Sequence, residues 1–279
     1  MRNIQAEEIT EAIAALCIEA NRFLPKDVED CLRQAEKAEE NALAKNTLGM
    51  IIKNFEIAAQ KQLPICQDTG VACVFMDIGQ EVHIEGDLHK AVDEGVRRGY
   101  GEGYLRKSVV ADPVRRGNTG DNTPAMLYLD LVPGDTIKIS LAPKGFGSEN
   151  MSKIAMLKPS DGLDGLIGFV LQAVKDAGPN PCPPIIAGIG IGGTFDKAAF
   201  LAKKALLRPI GSRHTDPFYA DLEKTLLQKI NALDIGPQGF GGKTTALFVA
   251  IETMPTHIAG MPVALNINCH VARHASLVL

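Results

Sequence analysis

The sequence predicts an α/β protein in which a helical N-terminal layer packs on a mixed β-sheet as a single compact unit. Three observations support this prediction. Apolar residues recur at helical spacing through residues 1–62. Short apolar runs bounded by glycine and proline follow from Leu63 onward, a pattern typical of strands. No internal repeat or low-complexity linker separates the two parts, so we expect one domain over residues 1–279, with 63–279 as its mixed α/β part.

The N-terminal segment is predicted to form three helices, because its apolar residues recur every three to four positions. The second helix is expected to begin near Pro25, since proline fits the first turn of a helix. The apolar faces of the three helices consist of Ile9, Ile13, Leu16 and Cys17, of Val28, Cys31, Leu32 and Ala35, and of Leu48, Ile51, Ile52 and Phe55.

Beyond Leu63 the pattern indicates strands mixed with helices. Strands are expected at residues 71–78, 125–132, 136–142, 185–191, 245–252 and 262–267. Helices are expected at residues 87–98, 161–177, 194–207 and 216–233. Only the turn-forming segment 133–135 separates the second and third strands, so these two are predicted to form a β-hairpin.

Composition and charge exclude several classes of protein. The chain has 29 basic and 33 acidic residues and a formal net charge of −4, whereas proteins that neutralise nucleic-acid phosphates are usually basic. No apolar run reaches the roughly 20 residues that a membrane helix needs. Residues 1–10 carry acids where a signal peptide has its apolar segment. We therefore expect a cytoplasmic protein with reduced thiols that binds neither nucleic acid nor membrane.

Two glycine-rich segments resemble nucleotide-binding motifs but depart from them. Residues 188–193 match GxGxxG, yet no acidic residue ends a second strand about 20 residues further on, as the dinucleotide fingerprint requires. Residues 236–244 resemble a P-loop, but Pro237 stands where the first glycine is needed and lacks the N–H that would contact phosphate. We interpret the glycines of residues 188–193 as letting the backbone approach another group closely and as leaving N–H groups at a helix N-terminus, where an anion can bind. We interpret residues 236–244 as a glycine-rich loop that places one lysine near a carboxylate site.

The six cysteines include no closely spaced pair, which disfavours zinc fingers, thioredoxin-type motifs and ferredoxin-type clusters. Cys17, Cys31 and Cys73 fall within predicted helices or a strand and are interpreted as core residues. The other three lie in irregular segments rich in proline, glycine or polar residues: Cys66, Cys182 and Cys269. The prolines around Cys182 would fix a thiolate at little entropic cost, although spacing alone leaves a chance arrangement open.

Six segments occur together in a characteristic order. They are 66–70 (Cys-Gln-Asp-Thr-Gly), 105–108 (Leu-Arg-Lys-Ser), 144–150 (Lys-Gly-Phe-Gly-Ser-Glu-Asn), 182–184 (Cys-Pro-Pro), 188–197, and 256–257 followed by 268–269. Together they resemble the alpha region of the iron–sulfur hydro-lyases, the class I fumarases and L-tartrate dehydratases. The similarity extends over nearly the whole chain, so residues 1–279 are expected to form one alpha-type catalytic domain.

The resemblance implies a [4Fe–4S] cluster ligated by Cys66, Cys182 and Cys269. Electron-transfer clusters usually have four protein ligands, whereas three ligands leave one iron open. The resemblance therefore implies a Lewis-acid site that binds substrate or water. His270 and His274, near the last cysteine, are assigned to supporting positions or to the surface.

The resemblance also implies a set of substrate contacts. Gln67 and Asp68 would contact the substrate or its iron-bound hydroxyl. Arg106 would bind a substrate carboxylate, which a guanidinium can hold through two parallel hydrogen bonds. A backbone N–H at Gly145 would bind the same anion, and His257 would hydrogen-bond the substrate or hold a carboxylate. Asp68 and His257 are the expected catalytic residues, while a surface ion pair for Arg106 and a core position for His257 stay open.

The activity implied is the reversible hydration of fumarate, a small dicarboxylate, to L-malate. Family members made as one chain continue past the third cysteine into a second domain, whereas this sequence ends at Leu279. We therefore expect a separate beta subunit that shares the active site, in an assembly of two alpha and two beta chains. The alternative within the same chemistry is the alpha subunit of an L-tartrate dehydratase. A non-catalytic nucleotide-binding protein and an iron sensor are the alternatives of another class.

Overall fold

The computed structural model describes residues 2–279 and has the mixed α/β architecture that the sequence predicts. Where the sequence predicts one unit, contacts within the chain define two. Unit 1 contains the chain up to Pro25 together with Asn54–Gly145 and Arg273–Leu279, and unit 2 contains Lys26–Lys53 and Phe146–Ala272. One boundary falls inside a helix and none lies in a linker of distinct composition, which explains why the sequence pattern does not reveal the division.

The three N-terminal helices are confirmed, and every other helix and strand predicted from the sequence is present. The helices are α1 (Ala6–Arg22), α2 (Lys26–Ala38), α3 (Ala42–Lys61), α4 (Leu88–Glu102), α5 (Phe146–Glu149), α6 (Gly162–Ala177), α7 (Phe195–Ala205) and α8 (Pro217–Asn231). The strands are β1 (Arg2–Gln5), β2 (Val71–Gly79), β3 (Val82–Glu85), β4 (Met126–Val132), β5 (Ile137–Lys144), β6 (Lys153–Leu157), β7 (Ile185–Gly193), β8 (Ala246–Thr256), β9 (Met261–Asn268) and β10 (Ala275–Val278). None of the helices in residues 2–279 has the length and apolar character needed to cross a membrane.

Unit 1 is built on a four-stranded sheet of order β10-β5-β2-β4, with a separate parallel pair, β1-β3. Helices α1 and α4 pack against each other, and α1 also contacts β5 and β10. Two glycines of α4 permit this packing. A Cβ on Gly95 would lie 2.8 Å from the Cβ of Ile13, and a Cβ on Gly99 would lie 2.6 Å from the Cβ of Cys17. The apolar face of α1 predicted from the sequence therefore lies in the core of this unit.

The predicted hairpin of residues 125–132 and 136–142 is wrong. Both segments are strands, but β2 lies between them, parallel to β4 and antiparallel to β5. The connecting turn passes the end of β2 so closely that a Cβ on Gly79 would lie 2.4 Å from the carbonyl oxygen of Gly134. Strand pairing of this kind depends on β2, which is distant in sequence, so local pattern alone does not indicate it.

Unit 2 contains a second four-stranded sheet of order β6-β9-β7-β8, in which β7 is parallel to β8 and antiparallel to β9. The residues of β7 alternate between two faces, as strand geometry requires. Ala187, Ile189 and Ile191 pack in a core with α6 and α8. Gly188 and Gly190 face α7, where added Cβ atoms would lie 2.2 Å and 2.1 Å from carbonyl oxygens of that helix. The GxGxxG segment therefore allows close packing of a helix on a strand.

Candidate active site

In unit 1, Cys66 lies partly exposed in the loop between α3 and β2. Hydrogen bonds hold this loop along its length. Asn54 Nδ2 donates to the carbonyl of Ile65 at 2.9 Å, and Thr69 Oγ1 donates to the carbonyl of Arg106 at 3.0 Å. The second bond holds the backbone of the predicted carboxylate-binding arginine beside the loop that carries Cys66, while the Arg106 side chain is exposed.

Asp68 and Gly145, two predicted substrate-binding residues, lie against each other. Asp68 Oδ1 accepts a hydrogen bond from the backbone N–H of Gly70 at 3.0 Å. A Cβ added to Gly145 would lie 3.0 Å from Asp68 Oδ2, and a Cβ on Gly70 would lie 2.7 Å from the backbone of Lys144. The glycines of the two motifs thus let the loops pack together beside a carboxylate, and Gln67 remains exposed at the same place.

Arg273 is a further charged residue at this place, and it belongs to none of the six sequence segments. Its side chain is 4% exposed, and Nη2 donates to the carbonyl of Asp68. Among residues 2–279, no hydrogen-bond partner is present for its Nε or Nη1. Lys144, also buried, is the second cation of this part of unit 1. A buried guanidinium with two unpaired nitrogens favours the binding of an anion. The only signal for Arg273 in the sequence is its position four residues after Cys269.

Replacing Arg273 by glutamine is expected to loosen the Cys66 loop, because the Asp68 carbonyl loses a charge-assisted donor. We expect the backbone amides of residues 66–70 to exchange hydrogen several-fold faster in native-state exchange measured by mass spectrometry. Arg115→Gln is the matched control, since Arg115 is exposed and pairs only with Asp112 at the surface. Unchanged exchange of residues 66–70 in the Arg273 variant would contradict the expectation.

In unit 2, Cys182 and Cys269 lie at the same end of the sheet. Cys182 precedes β7 and Cys269 follows β9, and these antiparallel strands place Ile186 opposite Asn268. The backbone N–H of His270 donates to the carbonyl of Cys182 at 3.3 Å, and its ring Nδ1 lies 2.9 Å from the same oxygen. Two of the three predicted cluster ligands thus lie at the same end of one sheet, and His270 contacts the backbone of Cys182.

His257, the other predicted catalytic residue, lies at the opposite end of this sheet from Cys182 and Cys269. It directly follows Thr256, the partner of Gly193 at the far end of the β7–β8 pair. The eight residues of β9 separate it from Cys269, a length of about 26 Å at the usual rise per residue. His257 is exposed in the β8–β9 turn, where Nδ1 accepts a hydrogen bond from the N–H of Ala259 at 3.2 Å.

Three of the cysteines are poorly suited to serve as thiolate ligands. Burial raises the pKa of Cys17, and burial together with the charge of Asp27 raises that of Cys31. Cys73 is buried within β2. A raised pKa disfavours the thiolate, which is the form that binds metal. The remaining cysteines, Cys66, Cys182 and Cys269, are partly or fully exposed and are the donor set that fits a soft iron–sulfur group.

Residues 2–279 contain no group of three His, Cys, Asp or Glu side chains positioned to hold one metal ion. A single tetrahedral ion with metal–sulfur bonds of 2.3 Å needs its sulfurs within roughly 4 Å of each other. Cys66, Cys182 and Cys269 are the thiols that would hold a [4Fe–4S] cluster, whose usual protein ligands are thiolates.

Comparison with known proteins assigns the chain to a family. Residues 10–278 match the family model described as "Fumarate hydratase (Fumerase)". The chain is 46% identical over 275 residues to a Methanocaldococcus jannaschii protein named "Putative L(+)-tartrate dehydratase subunit alpha", covering 96% of each. It is 33% identical over 276 residues to the L(+)-tartrate dehydratase subunit alpha of Escherichia coli (strain K12) and to that of Shigella sonnei (strain Ss046), covering 98% of this chain and 91% of theirs.

These matches define the chain as an enzyme of the hydro-lyase class. More narrowly, it belongs to the fumarate hydratase (Fumerase) family. The resemblance that the six sequence segments indicate is thereby confirmed.

Proposed function

We propose that this chain is the alpha subunit of a hydro-lyase that interconverts fumarate and L-malate, with a [4Fe–4S] cluster held by Cys66, Cys182 and Cys269. The observation that carries the proposal is the placement of Cys182 and Cys269 at one end of the sheet, joined through His270. Covalent continuity supports the inclusion of Cys66: only three residues separate Cys269 from Arg273, whose side chain bonds the carbonyl of Asp68.

The cluster would supply a Lewis-acid iron that polarises the hydroxyl and a carboxylate of the substrate. The chain's own residues bind and orient the dicarboxylate. Arg106 is exposed and offers a planar pair of donors to one carboxylate, and the Gly145 backbone adds a neutral donor. The buried guanidinium of Arg273 offsets part of the negative charge of the substrate. Asp68 is the carboxylate that can hold or move a proton at its Oδ atoms.

For His257, the strand geometry limits any role in this reaction. The length of β9 separates it from Cys269 of the same chain. A contact between His257 and a substrate held beside Cys182 and Cys269 therefore requires a second copy of the chain. We assign the catalytic role within one chain to Asp68.

A separate beta subunit is part of the proposal, because the similar proteins are named as alpha subunits. We propose a cytoplasmic assembly of two alpha and two beta chains in which the beta chain completes the active site. The isolated alpha chain would then hold a cluster but turn over little substrate.

L(+)-tartrate is the second candidate substrate, and the names of the similar proteins favour it. Tartrate differs from malate by one hydroxyl, and loss of water from tartrate gives an enol that becomes oxaloacetate. Both reactions use the same residues of this chain, so a contact to the additional hydroxyl decides between them. A polar group that is left unpaired by one substrate can discriminate by orders of magnitude.

The proposal is tested by anaerobic reconstitution of the alpha chain with iron and sulfide, followed by assays with and without the co-expressed beta chain. We expect about four irons per alpha chain, and hydration of fumarate that depends on the beta chain and exceeds dehydration of L(+)-tartrate. Faster turnover of L(+)-tartrate than of fumarate would identify the chain as the alpha subunit of an L(+)-tartrate dehydratase. Robust turnover without the beta chain would refute the shared site, and a stable cluster without activity on either substrate would indicate an iron sensor.

A further inference from the structure

The glycine-rich segment 236–242 has no role in the proposed chemistry, and its own hydrogen bonds exclude a phosphate cradle. A phosphate-binding loop leaves backbone N–H groups free to point at the ligand. Here four glycine N–H groups are already used within the loop, at 2.9–3.1 Å. Gly236 donates to Thr245 Oγ1, and Gly239 donates to the Gly236 carbonyl. Gly241 donates to the Ile235 carbonyl, and Gly242 donates to Asp234 Oδ1. The loop folds on itself so tightly that a Cβ on Gly236 would lie 1.8 Å from the Gly241 carbonyl oxygen.

This folding presents one side chain, Gln238, to the turn that contains Cys182. Gln238 has a left-handed backbone, with φ of 54°. Its backbone N–H donates to the Pro183 carbonyl at 2.8 Å, and its side-chain Nε2 donates to the same oxygen at 2.9 Å. Nε2 also lies 3.1 Å from Nδ1 of His270. Gln238 therefore contacts both the Cys182 turn and the residue that follows Cys269.

The Cys182 turn needs such external donors because its sequence supplies almost none. In residues 181–184 (Pro-Cys-Pro-Pro), only Cys182 has a backbone N–H, and this group donates to the Pro179 carbonyl at 3.0 Å. Cys182 is itself left-handed, with φ of 53°, a conformation that surrounding contacts must maintain in a residue with a Cβ. The carbonyls of Cys182 and Pro183 are held from outside, by the backbone N–H of His270 and by Gln238.

We propose that Gln238 is a positioning residue that, acting through Pro183 and His270, sets the direction of the Cys182 thiol relative to Cys269. The inference rests on the proposed function, because it takes these cysteines to be cluster ligands. Groups that orient metal ligands typically change metal affinity 10- to 100-fold when they are removed. The glycines around Gln238 are explained by the same role, since they allow the tight loop that aims one amide at the turn.

The first test uses the iron-free chain and so does not depend on cluster chemistry or activity. In a background with Cys31→Ser and Cys66→Ser, Cys182 and Cys269 are the accessible thiols, because Cys17 and Cys73 are buried. We expect Gln238→Leu to lower the rate of cross-linking of Cys182 to Cys269 by a short bifunctional thiol reagent several-fold. Gln172→Leu is the matched control, since this glutamine is exposed on α6 and bonds only Asp176.

The second test uses the reconstituted chain with its native cysteines. We expect Gln238→Leu to accelerate iron loss to a chelator by roughly 10- to 100-fold and to alter the electron paramagnetic resonance spectrum of the reduced cluster, with an unchanged melting temperature of the iron-free chain. Gln238→Met also removes the amide at similar length and should behave alike.

Wild-type cross-linking, iron loss and spectrum in both Gln238 variants would overturn the proposal. Failure of both variants to fold would overturn it in favour of a purely structural role. A wild-type chain that takes up no iron would refute the proposed function. The cross-linking comparison would still decide whether Gln238 positions the Cys182 thiol relative to Cys269.

Discussion

Replacing Cys182 by alanine is expected to abolish iron–sulfur cluster retention and to lower turnover with the beta subunit by more than about 100-fold. Under the proposed function, Cys182 supplies one of three protein thiolates, and a cluster left with two is released or degraded. Cys66→Ala and Cys269→Ala should have the same effect. The measurements are iron and acid-labile sulfide per chain after anaerobic reconstitution, and the rate of fumarate hydration with the beta chain present.

Cys31→Ser is the matched control for these variants. Cys31 is partly buried on α2, its Sγ lies 3.9 Å from the Leu247 carbonyl, and burial and Asp27 raise its pKa. It should retain wild-type iron content. The circular dichroism spectra of the iron-free variants should match that of the wild type. Full iron content in the Cys182 variant would mean that this residue is not a ligand.

Replacing Glu223 by alanine is expected to lower the free energy of unfolding by about 3–5 kcal/mol, because it breaks a buried ion pair. Glu223 is 1% exposed on α8, and Oε1 lies 2.7 Å from Nη1 of Arg208. The same carboxylate accepts hydrogen bonds from the backbone N–H groups of Ile251 and His214, at 2.9 and 3.2 Å. The substitution leaves a largely buried guanidinium without its main partner and two backbone donors unpaired.

Urea unfolding of the iron-free chain measures this change. Asp30→Ala is the control, since the Lys26–Asp30 pair is exposed on both sides and such pairs contribute about 1 kcal/mol or less. Glu223→Gln keeps the shape and one acceptor, so its effect should lie between the two. A loss in Glu223→Ala as small as in the surface variant would show that Arg208 re-pairs fully with Glu252, which lies 3.7 Å away.

The fold class and most helices were predictable from the sequence, because periodicity reflects which faces are buried. The apolar face of α1 and the faces of α6 and α8 all lie in cores. Strand order was not predictable in the same way. The segments that become β4 and β5 have the local pattern of a hairpin, and only long-range pairing with β2 separates them. The short strands β1, β3 and β10 also depend on distant partners.

In the candidate site, too, some residues could be found from the sequence and others only from the folded structure. Asp68 and Gly145 were expected at one site because their motifs resemble those of a known family, and the structure places the two residues against each other. His257 precedes Cys269 by only twelve residues, but an extended strand converts that short sequence distance into a long spatial one. Arg273 and Gln238 donate hydrogen bonds to backbone carbonyls. Every residue has a backbone carbonyl, so the sequence does not indicate which residues accept these bonds.

The glycines of β7 have a consequence for how such sequences are classified. At Gly188 and Gly190, carbonyl oxygens of α7 lie closer to the strand than a residue with a side chain would permit. Close packing of a helix on a strand thus produces the same glycine motif as the fingerprint of dinucleotide-binding enzymes. Searches that rely on short signatures will misassign chains of this kind to oxidoreductases unless they also require the acidic residue of a second parallel strand.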